Sequence, residues 1–237
     1  MTKRSHVNGA KGGAAPLGSL PPMDAPARVE IEDVGVSIGP RPLLAPVSAT
    51  VEPGRCLAVR GDNGTGKTTL LRVVAGAQAP STGEVRVAGT RVDARSSGLR
   101  RRLGGLLGPS AIYPDLTVYE HLLLVDASWG GDPATVEQRV DEVLDGLTIG
   151  GLADRFVTEL SSGQRQLADI ALVLFRPADL LVLDEPEQRL DEDRRRVVAE
   201  LLRERVRAGT TMLLATHDPL LAETVADDEL VLRPAEA

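Results

Sequence analysis

Residues Gly61 to Thr68 read GDNGTGKT, which combines three glycines with a Lys-Thr pair. This spacing matches the G-x-x-x-x-G-K-[ST] loop that binds phosphate groups between a strand and a helix. Glycines permit a tight turn that directs consecutive N–H groups toward phosphate oxygens, and the dipole of the following helix adds to the attraction. We expect Lys67 to reach the β- and γ-phosphates and Thr68 to bind Mg²⁺. The predicted nucleotide-contacting residues of this loop are Gly61, Asp62, Asn63, Gly64, Thr65, Gly66, Lys67, Thr68 and Thr69.

A second chemical group follows the apolar run LLVL, where the sequence continues with Asp184, Glu185 and Pro186. A buried strand delivers such carboxylates to its C-terminal end, which is where open α/β sheets place their ligands. We expect Asp184 to hold Mg²⁺, directly or through water, and Glu185 to polarise the attacking water as general base. Taken alone, an Asp-Glu pair after a strand is more typical of a solvated turn. The phosphate-binding loop upstream favours the functional interpretation.

The elements around these residues alternate between strands and helices. Apolar alternation from Arg28 to Val51 predicts an antiparallel β-rich opening, and Cys56 to Arg60 predicts a strand leading into the loop. A helix with Gly76 as its stop follows, then a second strand pair, Glu84 to Val87 and Leu103 to Leu107, and a helix-rich stretch from about Val118 to Leu160. The remaining predictions are helix Gln164–Phe175, strand Leu180–Leu183, helix Asp193–Arg207, strand Thr211–Ala215, a short helix after Asp218 and strand Glu229–Leu232. Strands and helices in this order predict parallel βαβ units in an α/β fold.

Composition narrows the functional classes. The 237 residues carry a net charge of -7, which disfavours a nucleic-acid-binding surface, and aromatic residues make up only 2%. Cys56 is the only cysteine, so we expect a small buried apolar side chain rather than a disulfide. No apolar run reaches the roughly 20 residues of a membrane-spanning helix, so a membrane role requires a partner. Residues 1–25 are rich in Gly, Ala and Pro and are predicted to be a disordered leader, with one domain over residues 26–237.

The motif LSSGQ, residues 160–164, resembles the LSGGQ signature of the ABC ATPase family, with Ser162 in place of the first glycine. The resemblance implies that Ser161, Ser162, Gly163 and Gln164 form a second phosphate-binding helix N-terminus. Such a motif acts in a head-to-tail dimer, in which each signature faces the phosphate-binding loop of the other subunit across a nucleotide. The alternative interpretation of this motif is a simple serine helix cap.

Two further matches follow in the family's order. EQRLD places Asp191 where the family has its D-loop aspartate, and ATHD places His217 where the family has the switch histidine that senses the γ-phosphate. A lone histidine after a strand is more often a satisfied surface or core residue, but its position here favours a catalytic role beside Glu185. The resemblance covers about residues 28–233. It implies a P-loop NTPase core with a mostly parallel sheet, an antiparallel β-subdomain and an inserted α-helical subdomain at about 110–160.

The sequence departs from the family at two positions. The Q-loop glutamine is absent, because Gly108 or Pro109 occupies its approximate place and no glutamine occurs between Gln78 and Gln138. We expect slower hydrolysis or altered coupling to a partner. Ile38 stands where the family usually has an aromatic residue that stacks on adenine, which predicts looser selectivity for ATP over GTP. The alternative for Ile38 is an inward-facing strand residue, with another side chain covering the base.

The resemblance implies the ATP-binding and ATP-hydrolysing subunit of an ABC transporter, with ATP and Mg²⁺ as cofactors. Its expected partners are a separate transmembrane permease and a second copy of itself or a homologous ATPase, with no nucleic acid. The expected location is the cytoplasm, on the inner face of the cell membrane. The segment YPDLTVYEHL resembles exporter-type subunits, and the absence of a regulatory domain after the last predicted strand also favours export. Two alternatives stay open, a non-transport ABC ATPase and a regulatory module that traps ATP and dimerises.

Overall fold

A five-stranded parallel sheet forms the centre of the computed structural model, which describes residues 27–93, 95–108 and 113–235. Its strand order is β6-β7-β8-β3-β9, and the neighbouring strands pair in parallel. The strands are β3 (Cys56–Arg60), β6 (Leu103–Leu106), β7 (Leu180–Asp184), β8 (Thr211–Ala215) and β9 (Asp228–Val231). Parallel neighbours need crossover connections, which the intervening helices supply. The predicted α/β fold with a mostly parallel sheet is confirmed.

A second sheet is antiparallel and has the order β2-β1-β4-β5. It comprises β1 (Val29–Ile38), β2 (Arg41–Val51), β4 (Thr82–Val87) and β5 (Thr90–Arg91). Strands β1 and β2 form a hairpin whose last pair is Ile38 with Arg41, as the apolar alternation predicts. The predicted pairing of Glu84–Val87 with Leu103–Leu107 is wrong, because β4 pairs with β1 whereas β6 pairs with β7. Short apolar strands carry little information about their partners, since partner choice depends on the whole sheet.

Seven helices connect the strands in the described part of the chain: α1 (Lys67–Val74), α2 (Ser97–Arg102), α3 (Val118–Ser128), α4 (Val136–Gly146), α5 (Ser162–Phe175), α6 (Glu192–Arg207) and α7 (Pro219–Val225). Helix α1 buries Leu70, Leu71, Val73 and Val74 in a core shared with the inner face of the antiparallel sheet. Gly76 follows its C-cap with a φ of 70°, which is the left-handed conformation that ends many helices. The phosphate-binding loop is thus fixed between two buried elements, β3 and α1.

The stretch predicted to be helix-rich holds α3, α4 and two short 3₁₀ turns, Gly150–Leu152 and Val157–Glu159. Its buried side chains belong to the same core as helix α5 and the parallel sheet. Residues 109–112, within the predicted subdomain boundary near 110, and the predicted leader over 1–25 lie outside the described residues. In the described part of the chain, no helix combines the length and the apolar character needed to cross a membrane.

Cys56 is fully buried in the core, as the sequence predicts. Burial, together with the charge of Asp227, raises the pKa of its thiol far above the usual value, which keeps the sulfur protonated. The Cys56 side chain, on the first residue of β3, therefore acts as a small apolar group in the core.

Candidate nucleotide-binding site

The loop of residues 61–66 leaves the C-terminal end of β3 and enters helix α1 at Lys67. Gly61, Gly64 and Gly66 have φ values of 143°, 84° and 98°, a region that side chains other than glycine rarely adopt. A Cβ at Gly66 would lie 2.6 Å from the carbonyl oxygen of Leu43, and a Cβ at Gly61 would lie 2.7 Å from that of Leu232. Packing against β2 and the segment after β9 therefore requires glycine as strongly as the turn does.

Lys67 turns back into this loop. Its Nζ donates hydrogen bonds to the carbonyl oxygens of Gly61 at 2.8 Å and Asp62 at 3.1 Å, and only 7% of the residue is exposed. Thr65 is 1% exposed and its hydroxyl donates to the same Asp62 carbonyl at 2.9 Å. Asp62, Asn63 and Gly64 are exposed at the tip of the loop. The ammonium group is thus held at the point toward which the loop turns, beside the N-terminus of α1.

Thr68, on the first turn of α1, meets the acidic end of β7. Its hydroxyl donates to the Asp184 carboxylate at 2.6 Å, which joins the two motifs found in the sequence. Partial burial raises the pKa of Asp184, and the charge of Glu185 acts in the same direction, while the Thr68 hydrogen bond opposes both. Thr69 follows Thr68 on the same helix and is half-buried.

The pair of Thr68 and Asp184 fits Mg²⁺. A hydroxyl oxygen and a carboxylate oxygen lie in contact, and both are the hard oxygen ligands that Mg²⁺ prefers. In residues 27–93, 95–108 and 113–235, no group of three or more His, Cys, Asp or Glu side chains forms a metal cage. Such a cage is unnecessary, because Mg²⁺ in phosphate sites is usually held by one or two carboxylates together with substrate phosphates.

Glu185 stands at the end of β7 in a left-handed backbone conformation with a φ of 48°. Its N–H donates to the carbonyl of Ala215 at 2.8 Å, which ties it to the end of strand β8. Carboxylate oxygen Oε1 lies 3.4 Å from Nε2 of His217, and Oε2 accepts a hydrogen bond from the Gln188 side-chain amide. The imidazole of His217 is 47% exposed and therefore reachable from solvent. The structure brings together the two residues predicted to be catalytic, although they lie 32 residues apart in the sequence.

The signature segment begins helix α5. Ser161 is the N-cap, since its hydroxyl accepts from the N–H of Gln164 at 3.3 Å and its own N–H donates to the Gln164 side chain at 2.9 Å. The simple cap interpretation is therefore correct for the Ser161 hydroxyl, yet Ser162 remains exposed beside it. Gly163 is buried, and a Cβ there would lie 2.8 Å from the carbonyl of Arg189. The glycine is needed because the segment after β7 passes directly over it.

Asp191 and Ile38, the two remaining predicted site residues, are both exposed. Asp191 caps helix α6, since its carboxylate accepts from the N–H of Arg194 at 3.0 Å, and the Asp191 side chain is 61% exposed. Ile38 is 66% exposed at the end of β1. The alternative that Ile38 is an inward-facing strand residue is wrong, because the strand has reached the turn of the hairpin and no longer covers the core. Its side chain is free to contact another molecule.

A cavity of about 300 Å³ adjoins Asp184 and Glu185. Gly108, one candidate position of the missing glutamine, also lines it. The rest of the wall comes from residues without a predicted role: Leu106, Arg165, Gln166, Asp169, Gln188 and Arg189. Gln166 also donates to the carbonyl of Pro186 at 3.0 Å, which fixes α5 against the acidic loop. The place of Gln188 near the site could have been predicted from the sequence, because it lies three residues after Glu185. The place of Gln166 could not, because it depends on the packing of α5 beside β7.

The sequence profile described as ABC transporter matches residues 44–188, which contain the phosphate-binding loop, the signature and the acidic strand end. The chain belongs to the ABC transporter family. The match ends before Asp191 and His217, so it does not test the roles predicted for these two residues.

Several curated proteins are similar to this family member. The Nod factor export ATP-binding protein I of Paraburkholderia xenovorans is 35% identical over 191 residues, which cover 81% of this chain and 63% of that protein. Its counterpart from Rhizobium meliloti is 31% identical over 220 residues, covering 93% of this chain and 66% of that one. The chain therefore spans just under two thirds of the length of these relatives.

Two further similarities come from a larger protein and from a solved structure. An ABC transporter ATP-binding/permease protein of Mycobacterium tuberculosis is 38% identical over 200 residues, which cover 83% of this chain and 23% of that protein. The solved structure of an ATP-binding subunit of an ABC transporter superposes with a TM-score of 0.79 at 26% identity, covering 87% of this chain and 86% of that one. The fold and the family are thereby established together.

Proposed function

We propose that this chain binds ATP with Mg²⁺ and hydrolyses it. The contact between Thr68 and Asp184 carries the proposal, because it joins the phosphate-binding loop to the acidic strand end at one point. Lys67 directly precedes Thr68 in the sequence, and Glu185 directly follows Asp184, so both are brought to the same place by this contact. A loop that holds phosphates beside two carboxylates and an exposed imidazole supplies phosphate binding, a metal ligand and a general base for phosphoryl transfer to water.

In the proposed mechanism the loop N–H groups and the Lys67 ammonium hold the β- and γ-phosphates. Thr68 and Asp184 would hold Mg²⁺, which would supply positive charge to the phosphate oxygens. Glu185 accepts a proton from the attacking water, and the His217 imidazole beside it donates a hydrogen bond toward the γ-phosphate. Since the imidazole and the carboxylate are 3.4 Å apart, one water molecule placed near Glu185 is within reach of both groups.

The signature residues complete the site in a dimer. Ser161, Ser162, Gly163 and Gln164 begin helix α5, whose N-terminal N–H groups suit a phosphate of a nucleotide bound by another copy or a homologous ATPase. Ser162 is exposed at this helix start, as a contact across a dimer requires. Asp191, exposed at the start of α6, is placed in the same proposed interface.

Transport is the process that this hydrolysis is proposed to drive, through a separate membrane permease. The relatives named for Nod factor export favour export, and the relative named as an ATP-binding/permease protein supports pairing with a permease. The proposed location is the cytoplasmic face of the cell membrane. Residues 26–237 are proposed to form one ATP-binding domain, whose helical subdomain over about 110–160 contacts the permease.

The test of hydrolysis compares wild type with a Glu185→Gln variant. The amide cannot accept the proton, so we expect turnover to fall by about 10² to 10⁴ while ATP affinity is retained. Glu192→Gln is the matched control, because Glu192 is an exposed carboxylate on α6 that forms an ion pair with Arg196. Equal turnover in wild type and Glu185→Gln would indicate a module that binds ATP without hydrolysing it.

Slow hydrolysis is proposed as the consequence of the missing Q-loop glutamine. Gly108 lines the cavity beside Glu185, but its φ of 140° suits glycine, so a glutamine there would also strain the backbone. Pro109, the other candidate position, lies outside the described residues. We expect Pro109→Gln to raise turnover several-fold, and Pro109→Ala to separate the gain of the amide from the loss of proline. An equal effect of both substitutions would refute the proposal.

A further inference from the structure

Glu187 is a buried carboxylate that the proposed mechanism does not use. Only 7% of it is exposed, although it follows Glu185 by two residues in a loop. Its Oε1 accepts hydrogen bonds from the hydroxyl of Thr216 at 2.5 Å and from the backbone N–H of His217 at 3.1 Å. Within the described part of the chain Oε2 has no hydrogen-bond partner. Burying a carboxylate is costly, so a retained one is expected to hold something in place.

A second hydrogen bond of the Thr216 hydroxyl shows that this hydroxyl is the donor to Glu187. The Thr216 hydroxyl oxygen accepts from the N–H of Asp218 at 3.0 Å, so its single proton is free to go to Glu187. Glu187 therefore receives two donors on one oxygen, and hydrogen bonds to an ionised acceptor are stronger than those between neutral groups. The two donors come from consecutive residues directly after strand β8, which ends at Ala215.

A second contact holds the other end of the same short segment. The Asp218 carboxylate pairs with the Arg195 guanidinium at 3.0 Å and caps helix α7 through the N–H groups of Leu220 and Leu221. Arg195 in turn donates to the carbonyl of Leu190 at 2.9 Å. Residues 216–218 are thus anchored at both ends by the segment that follows the acidic end of β7.

His217 lies between these two anchors. Its backbone is fixed by Glu187, while its imidazole is free of the anchors, 47% exposed, and 3.4 Å from the Glu185 carboxylate. Among the described residues, the hydrogen bonds of the Glu187 carboxylate go to the Thr216 hydroxyl and the His217 N–H, and Glu187 is not one of the residues that line the cavity beside Glu185. The route from the Glu187 carboxylate to the imidazole runs through its hydrogen bonds with the Thr216 hydroxyl and the backbone N–H of His217.

We propose that Glu187 is a positioning residue, whose buried carboxylate sets the place of the His217 imidazole beside Glu185. The inference rests on the proposed function, since it assigns Glu187 a part in ATP hydrolysis through His217. It links the loop after β7 to the loop after β8, so that the base and the histidine keep their separation.

The test is a double-mutant cycle on ATP turnover with Glu187→Ala, His217→Ala and the double variant. Loss of two hydrogen bonds to a charged group is expected to lower kcat about tenfold or more, with KM for ATP unchanged. In the His217→Ala background the same substitution is expected to change kcat less than twofold, because the imidazole it positions is gone. An equal loss in both backgrounds, or no loss in either, overturns the proposal.

Two further variants separate positioning from folding. Glu187→Gln keeps an acceptor oxygen for both donors and is expected to restore most of the turnover. Asp179→Ala is the matched control, since Asp179 is also 7% exposed, pairs with Arg102, and precedes the opposite end of β7. Asp179→Ala is expected to lower the unfolding midpoint but leave kcat unchanged. If it lowered kcat as much as Glu187→Ala does, the effect of Glu187 would be explained by loss of stability.

Thr216→Val provides a second approach if Glu187→Ala does not fold. It removes the hydroxyl that donates to Glu187 and accepts from the Asp218 N–H, with little change in volume at a site that is 1% exposed. It is expected to lower kcat in wild type but not in the His217→Ala background. An equal loss in both backgrounds overturns the proposal here as well. The proposed function fails separately, when Glu185→Gln leaves turnover unchanged.

Discussion

Replacing Gly66 by alanine is expected to destabilise the protein through two effects that the structure separates. The φ of 98° is unfavourable for any residue with a Cβ, which costs about 1–2 kcal/mol. The new Cβ would also lie 2.6 Å from the Leu43 carbonyl oxygen and 2.9 Å from a Leu44 methyl carbon on strand β2. Overpacking of this kind costs roughly 1–3 kcal/mol, because a backbone carbonyl cannot move away cheaply. The expected total loss is about 2–5 kcal/mol.

Gly64→Ala is the matched control in the same loop. Gly64 has a φ of 84°, but within the described part of the chain no heavy atom beyond Gly64 and its two chain neighbours lies within 4 Å of the position a Cβ would take. Its expected cost is therefore only the backbone part, about 1–2 kcal/mol. The difference between the two variants isolates the close packing of the phosphate-binding loop against β2.

Urea unfolding without nucleotide, followed by circular dichroism, measures the free energy of unfolding of both variants. ATP with Mg²⁺ is then added to wild type and to Gly64→Ala, where the rise in the unfolding midpoint reports whether the loop still binds. If Gly66→Ala and Gly64→Ala lose the same free energy within about 0.5 kcal/mol, contact with β2 does not constrain the loop, and the reasoning from packing is refuted.

Two other substitutions test the adenine contact and the electrostatics. Ile38→Tyr places a planar ring at the exposed end of β1, so ATP affinity and the preference for ATP over GTP are expected to rise several-fold in a titration with both nucleotides. Ile38→Leu is the control. Equal gains in affinity for the two variants would contradict stacking on adenine. Burial alone would raise the pKa of the Asp227 carboxyl, but the Cys56 N–H and the Arg203 guanidinium, each at 2.9 Å, outweigh it and hold that pKa below its usual value of 3.8. A carboxyl whose pKa is lower in the folded than in the unfolded state stabilises the fold at pH values above the unfolded-state pKa, and this stabilisation is lost as the pH falls through the folded-state pKa. Asp227→Asn is therefore expected to lower the free energy of unfolding at about pH 7. The difference from wild type is expected to shrink below about pH 4. A difference that stayed constant over that range in urea unfolding would show that the charge of Asp227 is not responsible.

The sequence by itself determined the local chemistry of this protein. Glycine spacing and the Lys-Thr pair identify the loop before α1, and an apolar run that ends in Asp184 and Glu185 identifies the acidic end of β7, because both depend on neighbouring residues in the chain. The alternation of strands and helices predicted the parallel sheet for the same reason, since periodicity reports which face of an element is buried.

Only the tertiary structure decided how distant segments meet. The placement of β4 and β6 in different sheets, the exposure of Ile38 and the cavity wall formed by Gln166 and Gln188 follow from packing between elements far apart in sequence. Glu187 is the clearest case, because its neighbours in the chain predict a solvated turn, whereas the loop after β8 closes over it and turns it into a buried acceptor for Thr216 and His217. Hydrogen-bond partners 30 residues away leave no periodic pattern in the sequence, since contact between two loops depends on the sheet that brings their ends together.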